Sequence, residues 1–116
     1  MRHQMKKITL DRKVAPRKAL LMNLAESLIL YEKITTTKAK AKITRSVVEK
    51  LVTKAKKNNL ASRRSLLTEL RSKNAVNKLL EVLGPRYAER KGGYTRVVNL
   101  GNRKGDGAQE AIVEFV

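Results

Sequence analysis

The sequence predicts an α+β fold of two layers, helices packed on a small three-stranded sheet, and three observations predict it. From Leu20 to Leu83 apolar residues recur at the spacing of one helix face. A short β-branched run, Ile34 to Thr37, interrupts that pattern. Beyond Tyr94 the period changes, and β-branched residues dominate on either side of a glycine-rich polar stretch from Gly101 to Gly107. The predicted order is α-β-α-α-α-β-β, preceded by an extended basic arm. The chain reads as one domain, 1–116, with 1–15 as the arm and 16–116 as the globular part, because neither half is long enough to close its own core.

The arm, Met1 to Ala15, is polar and basic, with only Ile8, Leu10 and Val14 as scattered apolar anchors and no helical period. Pro16 suits a first helical position, where its missing N–H is no loss, and Leu20, Leu21, Leu24, Leu28 and Ile29 follow on one face, so the first helix is expected from Pro16 to Tyr31. Ile34, Thr35, Thr36 and Thr37 favour a four-residue strand, since branching at Cβ stiffens χ1 against helix. A threonine at its end is a good N-cap for a second helix over Lys38 to Lys57, whose apolar face carries Ile43, Val47, Val48, Leu51, Val52 and Ala55. Asn58 and Asn59 break it. Two shorter amphipathic segments follow, one marked by Leu60, Leu66, Leu67 and Leu70, the other by Val76, Leu79, Leu80, Val82 and Leu83, with Asn74 as the expected N-cap of the second. Gly84 followed by Pro85 reads as a helix stop. The runs Tyr94 to Leu100 and Ala111 to Val116 form a hairpin with a wide basic loop. A lone hairpin is marginal, so the Ile34 to Thr37 strand is expected to join it.

Charge narrows the function. The chain carries 27 Lys and Arg against 10 Asp and Glu, a formal net charge of +17. Such an excess opposes compaction by self-repulsion and is best tolerated beside a polyanion, which points to nucleic acid. Hydrophobic residues at 41% suffice for a core, which excludes a wholly disordered basic tail. One Phe, three Tyr and no Trp argue against a single-strand binder that relies on many stacked aromatics. With no cysteine there is no disulfide framework and no thiolate metal site. No window approaches a membrane span, and the basic start is not followed by a signal-peptide apolar region. The chain is expected to be soluble and unprocessed.

The densest candidate site is Arg86 to Arg96, between a helix stop and a strand. Gly92 and Gly93 can adopt positive φ and bring backbone N–H groups close to an anion, while Arg86, Arg90, Lys91 and Arg96 supply cations around them. A plain turn with solvated charges is the alternative. Tyr87 and Tyr94 suit either stacking on an unpaired base or packing in the core. The arm, with Arg2, His3, Lys6, Lys7 and Arg12, is the second candidate, since a basic segment can follow grooves of a structured RNA. Arg17 and Lys18 lie in the opening turns of the first helix, where the helix dipole disfavours cations, and such a misplacement hints at a ligand. Lys38, Lys42 and Arg45 share one exposed face of the second helix. The pairs Arg63 with Arg64 and Arg103 with Lys104 complete the set.

Enzymatic chemistry finds no constellation. His3 is the only histidine, so no Ser-His triad and no multi-histidine metal site can be built, and there is neither a Walker loop nor a dinucleotide fingerprint. No cofactor, metal, membrane or small-molecule substrate is expected. A DNA-compacting architectural protein is the rival binder, with the Gly101 to Gly107 hairpin as a possible ribbon and no exposed apolar wedge.

Several segments taken together resemble a known family. They are the Met1, Arg2, His3 start, the step from Arg17 through Leu20 into a helix with Asn23, the Ile34 to Thr37 strand leading into Lys38 to Lys42, and above all RYAERKGGYTRVV from Arg86 to Val98. Their order and spacing are similar to those of bacterial large-subunit ribosomal protein seventeen over essentially the whole chain. The resemblance implies a cytoplasmic structural constituent of the large ribosomal subunit that binds large-subunit rRNA near the peptide tunnel exit, beside neighbouring large-subunit ribosomal proteins. It also implies helices packed on a small three-stranded mixed sheet. The chain departs from the family pattern in the arm, where Lys7 or Ile8 replaces a glycine, and before the first helix, where Ala15 and Pro16 replace a Ser-His pair.

Overall fold

The computed structural model describes Leu10 and residues 12–116; the expected arm lies largely outside the described residues. Helix α1 spans Val14–Tyr31 and strand β1 Lys33–Thr37. They are followed by α2, Lys38–Lys57, and α3, Leu60–Glu69. A fourth helical run, α4, is Lys73–Lys78 in α geometry, widens to a π turn over Leu79–Leu83, and closes in a last α turn at Gly84–Arg86. Strands β2, Thr95–Asn102, and β3, Gln109–Phe115, end the chain. The α+β architecture and its element order match the expectation.

The ends of the helices show why each begins and stops where it does. α1 starts two residues before Pro16, which then sits in the first turn, where its absent N–H is not needed. Glu32 closes α1 in the left-handed region at φ 63°, its N–H bonded to the Leu28 carbonyl at 2.7 Å, and Asn58 does the same for α2 at φ 46°. Asn59 caps α3, its Oδ1 accepting from the Ser62 N–H at 2.7 Å. The cap of α4 is Ser72, not Asn74: the Ser72 Oγ accepts from the Ala75 N–H at 3.2 Å.

Gly84 and Pro85 do not stop the helix. The Gly84 N–H bonds to the Leu79 carbonyl, five residues back, so the π turn shifts the ladder by one residue. Pro85 thereby falls in the first turn of the closing segment, where no N–H is required. The expected stop is absent because the wider turn absorbs both residues.

The sheet order is β1-β3-β2, antiparallel throughout, with Lys33 opposite Glu114, Thr37 opposite Glu110, and Thr95 opposite Phe115. The expected mixed sheet is therefore corrected. β1 and β2 run the same way, and a parallel pair would form only if they were neighbours. Instead β3, with Ala111 to Val113 and Phe115, takes the doubly flanked centre. β2 carries Asn99, Gly101 and Asn102 and a bulge between Asn99 and Gly101, which suits an edge.

One hydrophobic cluster joins the layers. Ala25, Leu28 and Ile29 of α1, Val48, Leu51, Val52 and Ala55 of α2, Leu66 of α3 and Val76, Leu79 and Leu83 of α4 meet Ala111, Val113 and Phe115 of the sheet. The Glu26 carboxylate accepts the Arg71 and Ser72 N–H groups at 2.8 and 3.1 Å and so ties α1 to the corner between α3 and α4. The layers thus fix the start of α2 against the open edge of β2.

Candidate nucleic-acid interface

Helix α2 leaves β1 without a break, and Thr37 stands at its N-cap position with no side-chain hydrogen bond to the first turn. The first-turn N–H groups are therefore not closed off by a cap, and no acidic residue lies among them. The first exposed face of this helix lies beside the edge strand β2. Lys38, Lys42, Arg45 and Lys50 line an open groove of about 700 Å³ with Val97 and Asn99 of β2. Two smaller clefts open from the same end: Lys38 borders one with Gln109 and the other with Asn99, Gly101 and Asn102. The only carboxylate in the main groove is Glu49, which pairs with Arg45 at 3.4 Å. Cations, open helix N–H groups and amide side chains converge here, a combination suited to phosphate oxygens along a backbone.

Lys38, Lys42 and Arg45 lie on one face, as their spacing predicts, and line the same groove. The sequence did not single out Lys50, Asn99 or Gln109. Lys50 continues the same stripe eight residues beyond Lys42, so the helical period carried that signal. Asn99 and Gln109 reach the groove only through sheet pairing, which no local pattern reveals.

The loop after α4 is more internally committed than its sequence suggested. Gly92 and Gly93 take φ of 149° and 61°, as expected of a loop that needs glycine. Arg86, however, is bound by Glu32, Arg96 pairs with Glu114 at 2.8 Å, and the Arg90 Nε donates to the Gly92 carbonyl at 3.2 Å. Lys56, which the sequence did not single out, donates to the Arg90 carbonyl and to the Tyr94 hydroxyl, the latter at 3.1 Å. Among the described residues, Lys91 makes neither an ion pair nor a hydrogen bond. Tyr87 and Tyr94 are buried, and their rings pack within the core.

The remaining candidates are dispersed. Arg12 and Lys18 are exposed at the start of α1, while Arg17 is buried, only 6% exposed. Arg63 donates to the Asn77 side chain at 3.2 Å, and Arg64 is exposed. Arg103 bonds Asp106 at 3.1 Å across the hairpin tip, beside exposed Lys104. That bond, with the Ala108 N–H, holds the Asp106 carboxyl at about 2. Arg2, His3, Lys6 and Lys7 lie outside the described residues. Among the described residues no three His, Cys, Asp or Glu side chains group to hold a metal ion, and no helix is long and apolar enough to cross a membrane.

A family model described as ribosomal protein L17 matches residues 20–116. The chain is 52% identical over 116 residues to a large ribosomal subunit protein bL17 of Rickettsia bellii (strain OSU 85-389), covering 100% of this chain and 82% of the relative. It is 57% identical over 100 residues to the bL17 of Endomicrobium trichonymphae, covering 86% of each. With the bL17 of Hydrogenobaculum sp. (strain Y04AAS1) it shares 52% identity over 117 residues, covering 100% of this chain and 99% of the relative. Matches of that extent, over the whole α+β unit that carries the groove, place this chain in the ribosomal protein L17 family.

Proposed function

We propose that the chain is a structural constituent of the large ribosomal subunit that binds and organises large-subunit rRNA and performs no catalytic step. The single observation that carries this reading is the groove at the start of α2. There Lys38, Lys42, Arg45 and Lys50 face one open channel beside uncapped helix N–H groups, in a family whose relatives are named as large-subunit proteins. The net charge of +17 supplies the polyanion requirement in bulk, and the groove supplies a place for it. Phosphate contacts at Lys38 and Lys42 fix the position of a strand without reading its sequence, so discrimination rests on RNA shape.

The arm residues Arg2, His3, Lys6, Lys7 and Arg12, the exposed Lys18, Arg64 and Lys104, and Lys91 of the glycine loop are further phosphate contacts in this reading. The site on the subunit is near the peptide tunnel exit, beside other large-subunit proteins, and the compartment is the cytoplasm. Filter binding to a large-subunit rRNA fragment and to duplex DNA at equal salt tests the reading. With roughly six to ten phosphate contacts, affinity for the rRNA falls by about three to five decades between 50 and 200 mM salt. Duplex DNA bound as tightly as the rRNA would favour an architectural DNA protein instead, and binding indifferent to salt would remove the phosphate basis altogether.

A further inference from the structure

A second groove lies on the opposite side of Lys50, and its chemistry differs from that of the first. It occupies about 760 Å³ between α1, α2 and the link from α3 to α4. Its floor is apolar and closed, formed by Ala25, Leu51 and Leu70, and its walls are Ala19, Met22 and Val47. The rim is cationic: Lys18, Lys50 and Arg71 are all exposed, and among the described residues no ion pair involves their side chains, Glu26 meeting Arg71 only at its backbone N–H. The one acid on the rim, Glu69, is held by Lys54 at 2.6 Å, so it does not neutralise those three.

We propose that this groove docks an amphipathic helix of a partner protein, apolar on the inner face and carrying Asp or Glu along its flanks. Shape sets the element. The valley between α1 and α2 runs from Ala15 to Ala25, about 15 Å at 1.5 Å per residue, which matches three turns of a third helix laid against two. Small side chains at Ala15, Ala19 and Ala25 allow close approach along that line. Charge sets the flanks, because three unpaired cations border an apolar floor. RNA is disfavoured here: the floor offers no hydrogen bond to a base edge, and a phosphate close to Leu51 and Leu70 would be desolvated without a partner. A second copy of this chain is disfavoured as well, since it brings a net charge of +17 to a cationic rim. The proposal does not depend on rRNA binding at the α2 and β2 groove.

The test is methyl NMR on the full chain, titrated with three designed peptides of 14 residues. One has a leucine stripe flanked by glutamates, one the same stripe flanked by lysines, and one the glutamates without the stripe. The expected result is that the first shifts the Ala19 and Met22 methyls and binds at least tenfold tighter than either of the others. Ala19→Glu and Arg71→Glu should each weaken it at least tenfold, with unchanged amide spectra elsewhere showing that the variants remain folded. Equal binding of the two glutamate peptides, or shifts confined to Val97, would reduce the effect to general charge attraction and overturn the proposal. So would an rRNA fragment that moves the Met22 methyl, or peptide-free shifts that grow with protein concentration. Failure of salt-dependent rRNA binding would leave these outcomes untouched.

Discussion

Tyr87 and Tyr94 pack ring against ring inside the fold, with centroids 5.3 Å apart and planes tilted by 53°. The Tyr87 hydroxyl donates to the Val116 backbone oxygen at 2.7 Å, and Lys56 sits over the Tyr94 ring, 5.3 Å from its centroid, while bonding its hydroxyl. Three of the four aromatic residues of the chain therefore join the end of α4, the glycine loop and the last strand, because Phe115 stacks on Tyr87 at 6.1 Å. The pairing has a direct consequence for the loop, since each tyrosine anchors one end of it.

Replacing Tyr94 by Ala should therefore cost stability. Tyr94 is 2% exposed, and truncating a buried ring of that size removes about 3–5 kcal/mol, a large part of what a domain of this length has to lose. Tyr94→Phe keeps the ring and removes the hydroxyl that Lys56 bonds, a loss of about 1 kcal/mol. Urea unfolding of the two variants reads the difference. A base-stacking role predicts the opposite pattern, full stability with weakened RNA binding, and that outcome would return the ring to the interface.

The groove of α2 behaves in the reverse way. Lys38 and Lys42 are on the solvent side of the helix and take no part in the core, so the double change to Ala should move the unfolding midpoint little. It should weaken rRNA-fragment binding uniformly across sequences and reduce the slope of log affinity against log salt by roughly one for each phosphate contact removed. Lys91→Ala in the glycine loop serves as the comparison at a single contact. A slope that stays at its original value after Lys38 and Lys42 are gone would take the phosphates out of this groove.

Local chemistry made much of this legible. The helical period from Leu20 to Leu83 locates most buried positions, although Leu60, Leu67 and Val82, expected on the apolar faces, are exposed, and the β-branched runs locate the strands, because both signals depend only on neighbouring side chains. The grouping of Lys38, Lys42 and Arg45 follows from the same period. What escaped depends on contacts far apart in the chain. Nothing near Arg86 or Arg96 announces that Glu32, 54 residues from Arg86, and Glu114, 18 from Arg96, would occupy them. The direction of β1 relative to β2 was hidden for the same reason, since it turns on which strand takes the centre. Gly84 and Pro85 misled in another way: both disfavour an α-helix, but a π turn re-registers the ladder around them.

Gly84 itself carries a packing prediction. Its φ of −55° is ordinary for a helix, so no special backbone conformation calls for glycine there. A Cβ at this position would lie 3.0 Å from the Leu79 carbonyl oxygen and 3.1 Å from that of Ala55, both backbone atoms that cannot rotate away. Gly84→Ala should thus destabilise by about 1–3 kcal/mol by forcing α4 away from α2, although alanine is the better helix former by about 1 kcal/mol. A raised melting temperature in a thermal scan would mean that the two helices separate without cost and that the close approach is incidental.

Glu32 links acid stability to one cluster. Its backbone closes α1, and its side chain accepts from Arg86 and Lys78, the latter at 3.2 Å, which ties the end of α1 to α4. The hydrogen bond from Arg86 holds its pKa below the ordinary 4.5, burial opposes that shift, and the bond from Lys78 adds to it. Because the folded value is the depressed one, the cluster contributes its full stability above the unfolded value of 4.5 and loses it as the pH falls through the lower folded value. The carboxylate is 38% exposed, so solvent screening keeps the effect modest. Urea midpoints measured downward from pH 6 should accordingly fall below about pH 4.5 in the native chain. In Glu32→Gln the start is lower and the decline shallower, since that carboxylate no longer titrates. Parallel declines in the two proteins would assign the acid sensitivity to other carboxylates, Asp106 among them, since its folded value of about 2 also lies below its ordinary 3.8.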